Sequence, residues 1–186
     1  MTDDMHQNQI DISCADSIDS TLMSQYYDPD TLWPVFKAVL DRMQTLMDEG
    51  LTLPYFDEID RDAWRARPKT VDMYITDRTE GCALNLEARG KAYATNILSY
   101  PSELPASVID LMPTIPLGEL IICHEVLEQQ AAEQHKTVMQ HVTHLLVHGV
   151  LHLLGFDHEL GQAEMEEMEG FEIEILATLN LPNPYL

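Results

Sequence analysis

From Leu145 to Leu154 the chain is apolar on almost every side of a helix. Leu145, Leu146, Val147, Val150, Leu151, Leu153 and Leu154 leave only His148, Gly149 and His152 between them. A helix that is hydrophobic all round has to be buried. The rest of the chain must therefore be arranged to cover it, and the two histidines are carried inward with it. Being four residues apart, they share one helix face, about 6 Å from each other along the axis. Two imidazoles so placed can chelate one metal ion. Gly155 can adopt the left-handed conformation that ends a helix. The chain can then turn back and return His158 to the same ion. Three neutral imidazoles suit zinc, and three protein ligands leave a fourth position for an exchangeable ligand, as in catalytic zinc sites.

His141 and His144 extend the stripe. At about 100° per residue, His141, His144, His148 and His152 fall within about 80° of one another around the helix. His144 and His148 are thus a rival chelating pair. His148 and His152 are preferred because only they adjoin the glycine turn, and His144 becomes a candidate to support a ligand or touch substrate. The spacing HxxxHxxGxxH resembles the zinc-protease pattern HExxHxxGxxH. Gly149, however, stands where those proteases carry their glutamate base.

The 186 residues suffice for one domain with a sizeable core, and residues 1–186 are read as a single unit. The formal charge of −22 favours solubility and opposes strong binding of nucleic acid through the surface as a whole. Its distribution is uneven. Arg61, Arg65, Arg67, Lys69, Arg78, Arg89 and Lys91 are seven of the ten basic residues, and they lie in one window with five acidic ones. Cys14, Cys82 and Cys123 are odd in number and form no CxxC pair, as expected of free thiols in a reducing cytosol. The N-terminal residues lack the basic and apolar regions of a signal peptide. No apolar run approaches the ~20 residues of a membrane span. A cytoplasmic location is expected.

Along the chain, residues 1–8 are expected to fray. Residues 9–13 alternate as a short strand, and 14–29 read as a loop. A helix is predicted from Asp30 or Thr31 to Asp48, ended by Gly50, with Pro34 tolerable only in a first turn. Residues 49–68 and 101–116 are expected to be surface connections, the first holding a short helix near residues 59–66. Strands are predicted at 69–77, 95–100 and 118–126. A short helix is predicted at 79–86, with Arg89-Gly90-Lys91 as a loop. One long helix should run from about Ala131 to Leu154, and an acidic helix from Ala163 to Leu179. The methionines of that last helix (Met165, Met168) read as core.

Further stretches carry a resemblance. His148–His158 matches the HGxLHLxGxDH hallmark of the YbeY family of bacterial rRNA-maturation endoribonucleases. Leu84-Asn85-Leu86-Glu87-Ala88-Arg89-Gly90-Lys91, Thr95-Asn96-Ile97-Leu98-Ser99-Tyr100-Pro101 and Leu117-Gly118-Glu119-Leu120-Ile121-Ile122-Cys123 are similar to other segments of that family. The match covers about residues 70–180. Ala88, Ala92 and Ala94 depart from the family's usual tyrosine, aspartate and proline. The resemblance implies an α+β fold: a small mixed β-sheet packed against helices, with a buried central helix carrying the metal-ligand histidines. It also implies one zinc ion on His148, His152 and His158, and a functional arginine at Arg89.

The implied activity is cleavage of single-stranded rRNA at the 3′ end of the small-subunit (16S) species and in ribosome quality control. The implied partners are the small ribosomal subunit and its proteins, and an assembly GTPase. Asp157, His124 and His144 are candidate proton acceptors or orienting groups. Two alternatives use the same triad: a zinc metallopeptidase-like hydrolase, and a non-catalytic ribosome-assembly factor with a structural zinc.

Overall fold

The computed structural model describes residues 7–186. Most of the expected N-terminal fraying therefore falls outside the described residues. In chain order the elements are β1 (Gln9–Cys14), α1 (Ser20–Tyr26), α2 (Pro29–Asp48), α3 (Arg61–Ala66), β2 (Lys69–Thr76) and α4 (Arg78–Arg89). There follow β3 (Ile97–Pro101), α5 (Ala106–Ile109), β4 (Ile115–Cys123), α6 (His124–Glu133), α7 (Val138–Leu154) and α8 (Gln162–Thr178).

The four strands form one mixed sheet of order β1-β2-β4-β3. β1 and β2 pair in parallel, as do β2 and β4, and β3 runs antiparallel to β4. The alternation in β2 is the one predicted: Val71, Met73 and Ile75 are buried, while Asp72 is exposed and Tyr74 half-buried. α7 is the hub. It packs against β3 and β4 on one side and against α2, α6 and α8 elsewhere. Eleven of its seventeen residues are buried, as an all-round apolar run demands.

Gly149 fixes how closely α7 lies on the sheet. A Cβ there would stand 2.7 Å from Ile97 Cδ1 and 2.8 Å from Leu120 Cδ2. The position thus faces the sheet and not the metal-ligand stripe, and a glutamate could not be accommodated. The general base of a zinc peptidase has no room at this point.

Several elements differ from the sequence-based expectation. Residues 20–26 are helical, not loop; Asp19 caps them by accepting from Thr21 N, and Leu22 and Met23 lean on the core. Seven residues are too few to show a helical period. α2 begins earlier, at Pro29, which leaves Pro34 inside the helix. The lost backbone bond is tolerated because Leu32, Val35 and Phe36 on the same turns are buried.

The stretch 49–68 is no mere surface connection. Leu53, Phe56, Ile59 and Trp64 are all buried in the core. α4 extends through Arg89, so that residue ends a helix and does not sit in a loop, and Gly90 caps it at φ 69°. The expected strand 118–126 starts at Ile115 and stops at Cys123, where α6 begins. α5 occupies part of the 101–116 connection.

The single long helix is two. His135, at φ 55°, separates α6 from α7, and Thr137 starts the second with a capping box to Gln140. Four arginines of the basic window are paired with carboxylates. Arg65 pairs with Asp48, Arg67 with Asp110, Arg78 with Glu125 and Arg89 with Glu159. Lys69 is buried against the Trp64 ring and donates to the carbonyls of Trp64 and Arg67.

Candidate metal centre and cleft

α7 ends at Gly155, which takes φ 107°. A Cβ there would meet Pro54 Cβ at 2.7 Å and Tyr55 N at 2.9 Å. Both the turn and the close approach of residues 54–55 therefore call for glycine. The reversal brings His158 back beside the helix. One ring nitrogen each from His148, His152 and His158 lie within 4.8 Å of one another. The Nε2 atoms of His148 and His152 are 3.1 Å apart. Two nitrogens bound at about 2.05 Å to a tetrahedral zinc would stand about 3.4 Å apart, so the spacing fits with little adjustment.

The chemistry of the donors fits too. Burial, reinforced by the neighbouring His148 and His158 rings, pushes His152 down to about 4, so at neutral pH its lone pair is free. His158 Nδ1 is buried with no hydrogen-bond partner among the described residues. No fourth histidine, cysteine or carboxylate joins the group among the described residues.

Glu172, from α8, is the functional group that sequence reasoning missed. It is fully buried and accepts from His148 Nδ1 through Oε1 and from the Tyr185 hydroxyl through Oε2; His144 Nε2 stands 3.5 Å from Oε2. Burial alone would raise this carboxyl, but the hydrogen bonds from His144 and His148 outweigh it and hold the group down to about 2. The charged carboxylate fixes the His148 tautomer with its proton on Nδ1, which leaves Nε2 to bind metal. One signal was present in the sequence: Glu172 lies four residues after Met168 and three before Ile175, on the apolar face of an otherwise acidic helix.

The triad opens into a cleft of about 630 Å³. Arg89 lines the same cleft, with Ala88, Asp157, Glu159 and the segment Thr95–Pro101. Arg89 donates to Glu159 Oε1 at 2.9 Å, and both side chains are substantially exposed. An exposed pair of this kind is worth little and can be exchanged for another anion. Asp157 lines the same cleft, and its Oδ1 accepts from Glu159 N at 2.8 Å, steadying the turn after Gly155. His144 lines a second, smaller cleft on the far side of the triad. His124 lines neither cleft. It is buried, its Nδ1 is 2.7 Å from the Tyr27 hydroxyl, and its ring stacks on Tyr26.

Residues 39–180 match the family model described as Endoribonuclease YbeY. The chain belongs to the YbeY endoribonuclease family. Curated relatives named Endoribonuclease YbeY agree. The protein from Psychrobacter cryohalolentis is 65% identical over 151 residues, covering 81% of this chain and 97% of the relative. That from Psychrobacter arcticus is 69% identical over 137 residues, covering 74% and 66%. A relative from Acinetobacter baumannii is 55% identical over 115 residues, covering 62% and 73%. Among solved structures, the solution structure of TM1509 from Thermotoga maritima aligns with a TM-score of 0.47 at 18% identity, over 92% of this chain and 91% of that one. The matched span contains the eleven residues, 148–158, that build the histidine cluster.

Proposed function

We propose that residues 1–186 act as one zinc-dependent endoribonuclease that cleaves single-stranded RNA in the 630 Å³ cleft. The observation that carries this reading is the convergence of three imidazole nitrogens in a cleft that Arg89 also lines. His148, His152 and His158 would hold the ion. Bound zinc would act as a Lewis acid toward the negative charge that develops on the phosphate.

The remaining work falls to the chain's own groups. Glu172 keeps the His148 ring oriented. Arg89 leaves Glu159 and offers its planar fork of N–H donors to the non-bridging oxygens of the scissile phosphate. That exchange trades one exposed carboxylate for one phosphate, so its net electrostatic cost is small. Asp157, in the same cleft, accepts the proton of the attacking oxygen as that oxygen bonds to phosphorus, and returns it to the leaving ribose oxygen as the scissile P–O bond breaks. The peptidase alternative is disfavoured by Gly149, whose close approach to Ile97 and Leu120 leaves no space for a glutamate. The structural-zinc alternative is disfavoured by the cleft beside a group of three donors.

In the cell, the substrate follows from the family resemblance: the 3′ end of small-subunit rRNA, in the cytoplasm. Small-subunit proteins and an assembly GTPase would deliver it. A charge of −22 supports that arrangement, because a protein so acidic gains little from phosphate neutralisation on its own. No helix among the described residues is long and apolar enough to cross a membrane.

The test is to incubate zinc-loaded protein with single-stranded RNA and, separately, with casein. RNA fragments and intact casein are expected. His148→Ala should lose bound zinc and RNA cleavage together. Cleavage of RNA by a variant that no longer binds metal would refute the proposal.

A further inference from the structure

A second cleft, of about 350 Å³, lies on the other side of His148 and His158, and Asn96 borders both clefts. Its hydrogen-bonding character follows from one backbone group. Ile97 N donates to Asn96 Oδ1 at 2.7 Å, so the Asn96 amide must present Nδ2 on its other side. That Nδ2 donates to Gln130 Oε1 at 2.9 Å. His141 Nε2 lies 3.0 Å from the same oxygen and must also donate to it. Burial lowers His141 to about 4, which agrees with a neutral ring carrying its proton on Nε2. With its oxygen held by two donors, Gln130 cannot flip. Its amide nitrogen, with two N–H groups, has no partner among the described residues. Lys136 adds an ammonium that donates to the Pro184 carbonyl at 3.5 Å.

The remaining walls are mixed. Leu145, Met168, Pro184 and the Tyr185 ring supply apolar and aromatic surface, interspersed with Gln134, His144, Glu169 and Glu172. Oriented donors at one edge between apolar and aromatic walls suit a flat ring bearing carbonyl oxygens. A phosphate would gain nothing from those walls. We propose that this second cleft is a nucleobase subsite, in which Gln130 and Lys136 donate to the carbonyl oxygens of a uracil, cytosine or guanine next to the scissile phosphate. The inference rests on the endoribonuclease reading. Adenine offers this edge only ring nitrogens as acceptors, so it ranks below the carbonyl-bearing bases.

The experiment follows the Gln130 side-chain amide by nitrogen–proton NMR in zinc-loaded protein. The probes are uridine 5′-monophosphate, adenosine 5′-monophosphate and ribose 5-phosphate. The uridine nucleotide should shift the Gln130 amide resonance, the adenosine nucleotide less so, and ribose 5-phosphate not at all. Gln130→Glu keeps an oxygen for Asn96 and His141 but removes both N–H donors. It should retain zinc and weaken uridine nucleotide binding by about tenfold or more, the size of one hydrogen bond lost and one acceptor set against another. Lys136→Ala, which removes the ammonium and its bond to the Pro184 carbonyl, should weaken it severalfold. An equal response to ribose 5-phosphate, or no response of Gln130 to the uridine nucleotide, would overturn the subsite. Failure of the unaltered protein to cut RNA registers in a separate assay and would overturn the endoribonuclease reading instead.

Discussion

Removing Glu172 probes the link between the tertiary fold and the metal. The side chain is fully buried, yet both its oxygens are occupied, by His148 Nδ1 and by the Tyr185 hydroxyl. Glu172→Ala leaves the His148 N–H without an acceptor and frees the ring to turn or to exchange tautomers. Loss of such a group beneath a metal ligand lowers metal affinity by roughly 10- to 100-fold, or about 1.4–2.7 kcal/mol. Glu172→Gln keeps one oxygen for His148, but its amide nitrogen then meets Tyr185 and His144. It should fall near the tenfold end. Tyr185→Phe removes one donor from the carboxylate and should cost about 1 kcal/mol, roughly fivefold. The assay is competition with a chromophoric zinc chelator at pH 7, with circular dichroism on the same samples to establish folding. A folded Glu172→Ala variant with unchanged affinity would refute the reasoning, and so would a Gln variant weaker than the Ala one.

Arg89→Ala should leave zinc binding unchanged and lower the rate of RNA cleavage by 10²-fold or more, in keeping with loss of a donor to developing charge; full activity would remove Arg89 from the site. Gly149→Ala drives a methyl group to within 2.8 Å of Ile97 and Leu120, and should cost about 1–3 kcal/mol of stability in thermal or urea unfolding. Acidification should destabilise the metal-free protein through His141. Burial lowers this histidine from 6.5 to about 4, so the unfolded chain binds the extra proton first. Stability from this group is complete above pH 6.5 and is lost as pH falls from there toward 4, by roughly 3 kcal/mol. His141→Gln should flatten that part of the pH profile, and an unchanged slope would contradict the assignment.

The local features were open to reading because their causes are local. Helical period places His148 and His152 on one face, and Gly155 can take a left-handed turn that most residues resist, so eleven residues suffice to gather three imidazoles. The all-round apolar run likewise marked α7 as the hub before any neighbour was known. Alternation in 69–76 marked β2, since a half-buried strand must change character at every residue.

What the sequence left undecided depends on groups distant along the chain. Nothing near His148 indicates that Glu172 and Tyr185 will hold it, or that Arg89 will face Glu159 seventy residues later. The break at His135 has no proline or glycine to announce it, because the turn is stabilised by the capping box that follows. Leu53, Phe56, Ile59 and Trp64 sit among prolines and charges, and their burial is set by the space beside α2 and α7, not by a period of their own. The order β1-β2-β4-β3 and the two clefts flanking the triad arise the same way. Short-range geometry determined the cluster of donors; long-range packing alone decided what orients it and what it faces, because those contacts have no repeat along the chain.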